Sequence, residues 1–375
     1  MLKWHLLIIL GIAILLLLPL VLQDGGYIKE AFDFQNDIAR AEQAKADGDV
    51  HDMWNQYFGR TMTAYMVGKT SLVTGISCKP LQLVFDYAVL LLAGITIYGI
   101  ATYLFGISAG ILSSLAVLFC THSILGLFSS GDVWDIAETC IILPIGLLFI
   151  VKWLTEKGQR NLIAGLVVLA VFSMVHPLSL MLSAAMVLFI GTLVIYKHTK
   201  AKKLLLLLSG IVAGNLILAY LFINNALVLP LSLLGIAQTK SPLITYATTE
   251  PVSIVTFLYE YLSLPTLGIG VIAYIAIAKT KLQEKQWLFL LALGCFIVPL
   301  LTAAMTGLAI DTRRHAMDAA TLLALGIGCL AGFGIKEQLA ITGSKAKTRV
   351  LAPVTAMVVA IGMIPTLAVW IGGSQ

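Results

Sequence analysis

The stretch LQLVFDYAVLLLAGITIYGIATYL, residues 81–104, carries a single charged side chain, Asp86, in an otherwise largely apolar run. In lipid each backbone N–H and C=O must be satisfied within the spanning segment itself, which a helix does. About 20 apolar residues take such a helix across the hydrocarbon core, and this run has that length. Comparable runs lie at 4–22, 107–128, 136–153, 162–175, 178–196, 204–223, 264–279, 287–308, 317–335 and 351–371. The expected architecture is all-α: a polytopic transmembrane helical bundle of about 11 spans (range 10–12), forming a single integral membrane domain over 1–375.

Two runs are short. The one at 162–175 ends at His176-Pro177, where proline takes the first position of the next helix. The other, 264–279, follows a stretch from Asn224 to Leu262 with room for a re-entrant segment. The first run, Leu6 to Leu22, follows Lys3 and precedes Gln23-Asp24-Gly25-Gly26. That sequence has no small-x-small cleavage site, so the run reads as a retained signal-anchor helix.

Composition agrees with this layout. Hydrophobic residues make up 59% of the chain, charged residues 11%, and the mean hydropathy is +0.97. A soluble domain carries about 25% charged residues. The formal charge of +5 does not mark nucleic acid as a partner, because the Lys and Arg residues form short clusters between apolar runs. Cys78, Cys120, Cys140, Cys295 and Cys329 show no CxxC or CxxH spacing, which argues against a zinc site or disulfide framework. Of the five, Cys78 is the one expected to face an oxidising compartment.

The distribution of basic residues orients the chain. With a cytoplasmic N-terminus, the inner segments hold 15 of the 24 Lys and Arg residues and three acids, Glu156, Glu284 and Glu337. The outer side then holds 9 basic residues and 16 acids, giving +12 inside and −7 outside. The long loops are outer ones, 23–80 and 224–263. In the first, a helix over about 31–46 ends at Gly48. A second, with Asp49 as its N-cap, places Val50, Met53, Trp54, Tyr57, Phe58, Met62, Tyr65 and Met66 on one face as an amphipathic surface helix. A similar short helix after Pro251 groups Val252, Val255, Leu258, Tyr259 and Leu262.

Titratable groups gather at the outer ends of the spans: Asp24, Asp86, His122, Asp132, Asp135, Glu138, His176, Asp311, Arg313, Arg314, His315 and Asp318. The helix centres are nearly empty of them, with Asn215 the main polar exception. That pattern suits a site at the outer membrane–water boundary better than a conduit through the bilayer. Arg313-Arg314-His315 stands out because the chain has six Arg in all. Two adjacent guanidinium groups at headgroup depth grip phosphate oxygens bidentately, unless Asp311 and Asp318 simply neutralise them. Asp24, followed by Gly25, Gly26 and Tyr27, sits where the chain leaves the membrane; it reads as a general base on an acceptor hydroxyl or as a solvated loop acid. Asp132, Asp135 and Glu138 fall within seven residues. Such oxygen-rich clusters attract hard divalent cations (Mg or Mn), and equally suit a helix N-terminus with no ligand. His176 reads as a contact for a phosphate or sugar hydroxyl, or as a structural helix-end histidine. No HExxH, P-loop or Rossmann glycine motif occurs.

In these features the chain resembles the multi-pass membrane glycosyltransferases of the GT-C fold class, which use polyprenyl-phosphate-linked sugars. The residues that carry the resemblance are Asp24 directly after the first span, the surface helices of the first outer loop, Gly131-Asp132-Val133-Trp134-Asp135, His176-Pro177, and Arg313-Arg314 opening a late helix. The resemblance implies a cell-envelope enzyme moving a sugar from a polyprenyl-phosphate donor to a glycan, lipid or protein acceptor on the outer face. It implies Asp24 as the catalytic base that deprotonates or orients the acceptor, and Tyr27, Asp132, Asp135, Glu138, His176, Arg313, Arg314 and His315 as substrate-binding residues. The alternatives are a transporter or flippase for a lipid-linked glycan, a polymerase or ligase of surface polysaccharide, and a non-catalytic membrane subunit.

Overall fold

A computed structural model of the chain describes residues 2–22, 32–47, 58–124, 127, 133–156, 158–175, 179–196, 250–277, 281–307, 312–342 and 353–364. Among these there is no strand; every regular element is a helix. The elements are α1 (Leu2–Leu22), α2 (Phe32–Asp47), α3 (Phe58–Thr74), α4 (Cys78–Phe105) and α5 (Ile107–Cys120). There follow α6 (Val133–Thr155), α7 (Gln159–Val175), α8 (Ser179–Ile195), α9 (Ile254–Leu262), α10 (Leu264–Ile277), α11 (Glu284–Thr306), α12 (Thr312–Thr342) and α13 (Pro353–Ile364).

Four of these are long and apolar enough to cross a membrane: α4, α6, α11 and the Thr312–Lys336 part of α12. The bent pair α9–α10 makes a fifth if taken as one span. The described residues therefore do not reach about 11 spans. Several elements expected to span are shorter apolar helices, α5 and α13 among them, and the 204–223 run lies outside the described residues. Expected limits shift for physical reasons. Instead of running to residue 128, α5 stops at Cys120, where Thr121 turns extended and its hydroxyl donates to the Tyr261 carbonyl at 2.6 Å.

Close backbone approach organises the bundle. Gly106, at φ 103°, reverses the chain between α4 and α5, a conformation that suits glycine. A Cβ at Gly110 would lie 2.8 Å from the Tyr98 carbonyl oxygen, so the two arms of this hairpin touch. The α5–α12 contact is tighter still. A Cβ at Gly328 would meet Ser113 Cα at 2.4 Å, and one at Gly332 would meet Ala109 Cα at 2.3 Å. Gly328 and Gly332 on α12 face Ala109 and Ser113 on α5, a small-xxx-small seam on both helices of the kind that packs helices in lipid. Helix α1 is held to α4 by a 2.5 Å hydrogen bond between His5 Nδ1 and the Tyr98 hydroxyl.

The first loop forms a helical pair. Helix α2 matches its expected limits, and α3 packs on it through small residues: a Cβ at Gly68 would stand 2.4 Å from the Ala41 carbonyl oxygen. Met62, Tyr65 and Met66 point away from the protein, as a face meeting lipid would. The 48–57 part of the expected second helix, including Asp49, lies outside the described residues.

Helices α9 and α10 meet at an angle of 94°. Ser263 makes the elbow with φ 71°, the one non-glycine residue at positive φ among those described. The face expected for α9 is corrected here. Val252, Phe257, Tyr261 and Leu262 are buried, whereas Val255 and Tyr259 are exposed. A π-helical turn over Phe257–Leu262 winds the helix wider than 3.6 residues per turn and rotates the face away from the i, i+3, i+4 reading.

Candidate functional site

The N-terminal part of α4 and the first turns of α6 and α12 lie together at one end of the bundle. The Phe85 and Trp134 rings, 6.0 Å apart, join α4 to α6. An ion pair joins α6 to α12: Arg314 Nε lies 3.1 Å from Asp135 Oδ2. Asp135 is fully buried and Arg314 retains 23% side-chain exposure, so the carboxylate is removed from water and the guanidinium reaches it from the rim. Where the sequence reading starts the late span at 317, α12 already starts at Thr312. Arg313, Arg314 and His315 thus belong to a helical first turn and not to a loop. That turn is fixed by Thr312 Oγ1, which donates to the Glu250 carbonyl at 2.9 Å.

One turn deeper sit two more carboxyl groups. Glu138 follows Asp135 by three residues and Asp318 follows Arg314 by four, spacings that put each pair on one helical face. Both are fully buried and close enough to act on one another electrostatically. Glu138 opens a π-helical turn, Glu138–Ile142, within α6, and such turns are frequent at functional sites. Thr139 Oγ1 donates to the Asp135 carbonyl at 2.7 Å within the same turn. On α4, buried Gln82 Nε2 donates to buried Asp86 Oδ1 at 2.9 Å.

The structure therefore brings Asp135, Glu138 and Arg314 into one constellation. Arg313 is exposed, with no carboxylate in ion-pair reach among the described residues, and His315 is half-buried. Asp24, Tyr27, Asp132 and His176 lie outside the described residues. Among the described residues, no group of three or more His, Cys, Asp or Glu is placed to hold a metal ion; Asp135 is engaged by Arg314. All five cysteines are free and buried, Cys78 included.

Two features of this end escaped the sequence reading. Gln82 had a signal, standing four residues before the lone acid of an apolar run. The second is a cavity of about 300 Å³ at the α9–α10 elbow, lined by His122, Tyr259, Glu260, Ser263, Leu264, Pro265 and Gly362. His122 was noted only as a helix-end residue; the elbow that brings Glu260 beside it depends on the conformation of Ser263. The Ser263 hydroxyl donates to the Cys120 carbonyl, and the Ser123 hydroxyl donates to the Tyr261 carbonyl at 3.0 Å, so the elbow is tied to the end of α5.

No protein-family model matches the chain, and no curated protein is similar enough to it to count as a relative.

Proposed function

We propose that the protein is a membrane glycosyltransferase that moves a sugar from a polyprenyl-phosphate donor to an acceptor at the outer face of the cell membrane. The observation that carries this reading is the Asp135–Arg314 pair, which ties together two helix first turns far apart in sequence and leaves Arg313 exposed beside them. A guanidinium held in place by a buried carboxylate, next to one with no ion-pair partner among the described residues, supplies oriented N–H donors for phosphate oxygens. In transfer from a lipid phosphate, negative charge grows on the departing phosphate, and donors fixed beforehand stabilise it without reorganising. In this reading Arg313 and Arg314 hold the phosphate, and Asp24 takes the proton of the acceptor hydroxyl.

The reading also includes about 11 crossings with a cytoplasmic N-terminus, supported by the hydropathy of the runs and the +12 against −7 charge division. The elbow cavity, with an aromatic ring, a carboxylate and an imidazole around it, suits part of an acceptor.

The test supplies purified protein with a panel of polyprenyl-phosphate sugars and glycan, lipid and peptide acceptors. Transfer is expected from wild type and is expected to fall by about 100-fold or more in Asp24→Asn and in Arg313→Ala. Folded Asp24→Asn and Arg313→Ala proteins as active as wild type would sink the mechanism. Movement of a lipid-linked glycan across vesicles without transfer would favour the flippase alternative.

A further inference from the structure

At the opposite end of the bundle, three lysines from three helices converge where α4 stops. Lys152 of α6 places Nζ 4.3 Å from the centre of the Tyr103 ring, and Lys285 of α11 places Nζ 5.3 Å from it. Lys336 of α12 lies one turn further, its Nζ 3.4 Å from where a Cβ on Gly106 would stand. The tyrosine hydroxyl faces Glu156 Oε1 at 3.5 Å. Among the described residues, none of the three lysines forms an ion pair. Lys336 lies beside the C-terminal end of α4, where a cation is favoured. Lys152 and Lys285 share one partner, the Tyr103 ring, and so lie within about 10 Å of each other, a limit set by their separations from the ring centre. Like charges brought this close in a partly dehydrated setting favour an anion between them.

The depth of the seat says which anion. Tyr103 is 46% exposed and ends an apolar span, and at the same end the Tyr196 and Trp287 rings pack with their centres 6.0 Å apart. Aromatic side chains in this pattern mark the level of lipid headgroups, and basic pockets between helix ends at that level bind headgroup phosphates. We propose that Lys152, Lys285 and Tyr103 form a binding site for the phosphate of an anionic phospholipid in the leaflet at this end of the bundle. The site lies at the other end of α4 from the Asp135–Arg314 pair and does not depend on what that pair does.

The experiment compares full-length protein in nanodiscs of phosphatidylcholine with nanodiscs containing phosphatidylglycerol, reading lipid retention by native mass spectrometry and the thermal unfolding midpoint. Wild type is expected to retain phosphatidylglycerol selectively and to unfold at a higher temperature in its presence. Lys152→Gln with Lys285→Gln is expected to weaken retention roughly 10–30-fold, whereas Lys152→Arg with Lys285→Arg keeps it. The control is Lys69→Gln: Lys69 also stands over a tyrosine, with Nζ 5.3 Å from the Tyr65 ring, and its loss is expected to change nothing. Equal retention by the Gln pair and wild type overturns the proposal. So does an equal rise in the midpoint from millimolar inorganic phosphate in phosphatidylcholine, because a soluble anion is then the occupant. If the Gln pair does not fold, the Arg pair decides: loss of selectivity with the charges intact overturns the site.

Discussion

The most consequential single contact is the 3.1 Å approach of Arg314 to Asp135, because one partner has no access to water. Removing the cation strands a buried carboxylate, so Arg314→Ala is expected to cost ~3 kcal/mol of stability, read from the midpoint of detergent-induced unfolding. Asp135→Ala on top of it is expected to recover part of that loss, since the two residues act as one unit. Arg313→Ala, which removes an exposed guanidinium, is expected to leave the midpoint unchanged while abolishing transfer in the assay above. Gln82→Leu is expected to cost about 1–3 kcal/mol by taking a hydrogen bond from buried Asp86. The acids of this end were legible because Asp135 and Glu138 open an apolar run and Asp86 is the lone charge in another. Their partners were not, since hydropathy shows that a charge is near a helix end but not which other helix comes to it.

At the scale of elements, the seam between α5 and α12 rests on the missing side chains of Gly328 and Gly332. Val in place of either is expected to push the helices apart and cost about 3 kcal/mol or more. Gly326→Ala is expected to be tolerated, because among the described residues a Cβ there meets only Leu290 Cδ2 at 3.8 Å. Circular dichroism and unfolding of the purified variants separate the two outcomes. At the elbow, Ser263→Ala keeps the positive φ without the hydroxyl that holds the end of α5. It is expected to destabilise more than Ser263→Gly, in which relief of backbone strain of order 1–3 kcal/mol offsets the same loss. The glycines were visible in the sequence, yet a GxxxG pair names only one side of a seam. That α5 supplies the other side, through Ala109 and Ser113, follows only from the packing.

For the whole molecule, the division of charge makes a direct prediction about topology. Lys79→Cys is expected to react with a membrane-impermeant maleimide added outside intact cells, and Lys281→Cys only after the membrane is opened. The five native cysteines, all buried, are expected to stay unlabelled in the folded protein. Labelling of Lys281→Cys from outside would invert the orientation and place the Asp135–Arg314 end in the cytoplasm. The helical class was legible from the 81–104 run alone, because lipid admits few other structures. The number of crossings was less so. Where α5 ends at Cys120, and where α9 and α10 bend by 94°, side-chain bonds to carbonyls and one residue at positive φ set the limits, and hydropathy registers neither.

The ion pair between α6 and α12 also has a consequence for synthesis. Roughly 180 residues separate Asp135 from Arg314, so at ~5–20 residues per second the acid leaves the ribosome on the order of 10–40 s before its cation. Throughout that interval α6 holds Asp135 and Glu138 without Arg314 to answer them. The nascent chain is therefore expected to wait with α6 near the bilayer surface, with its acids protonated, or beside an insertion factor offering a substitute polar partner, until α12 arrives.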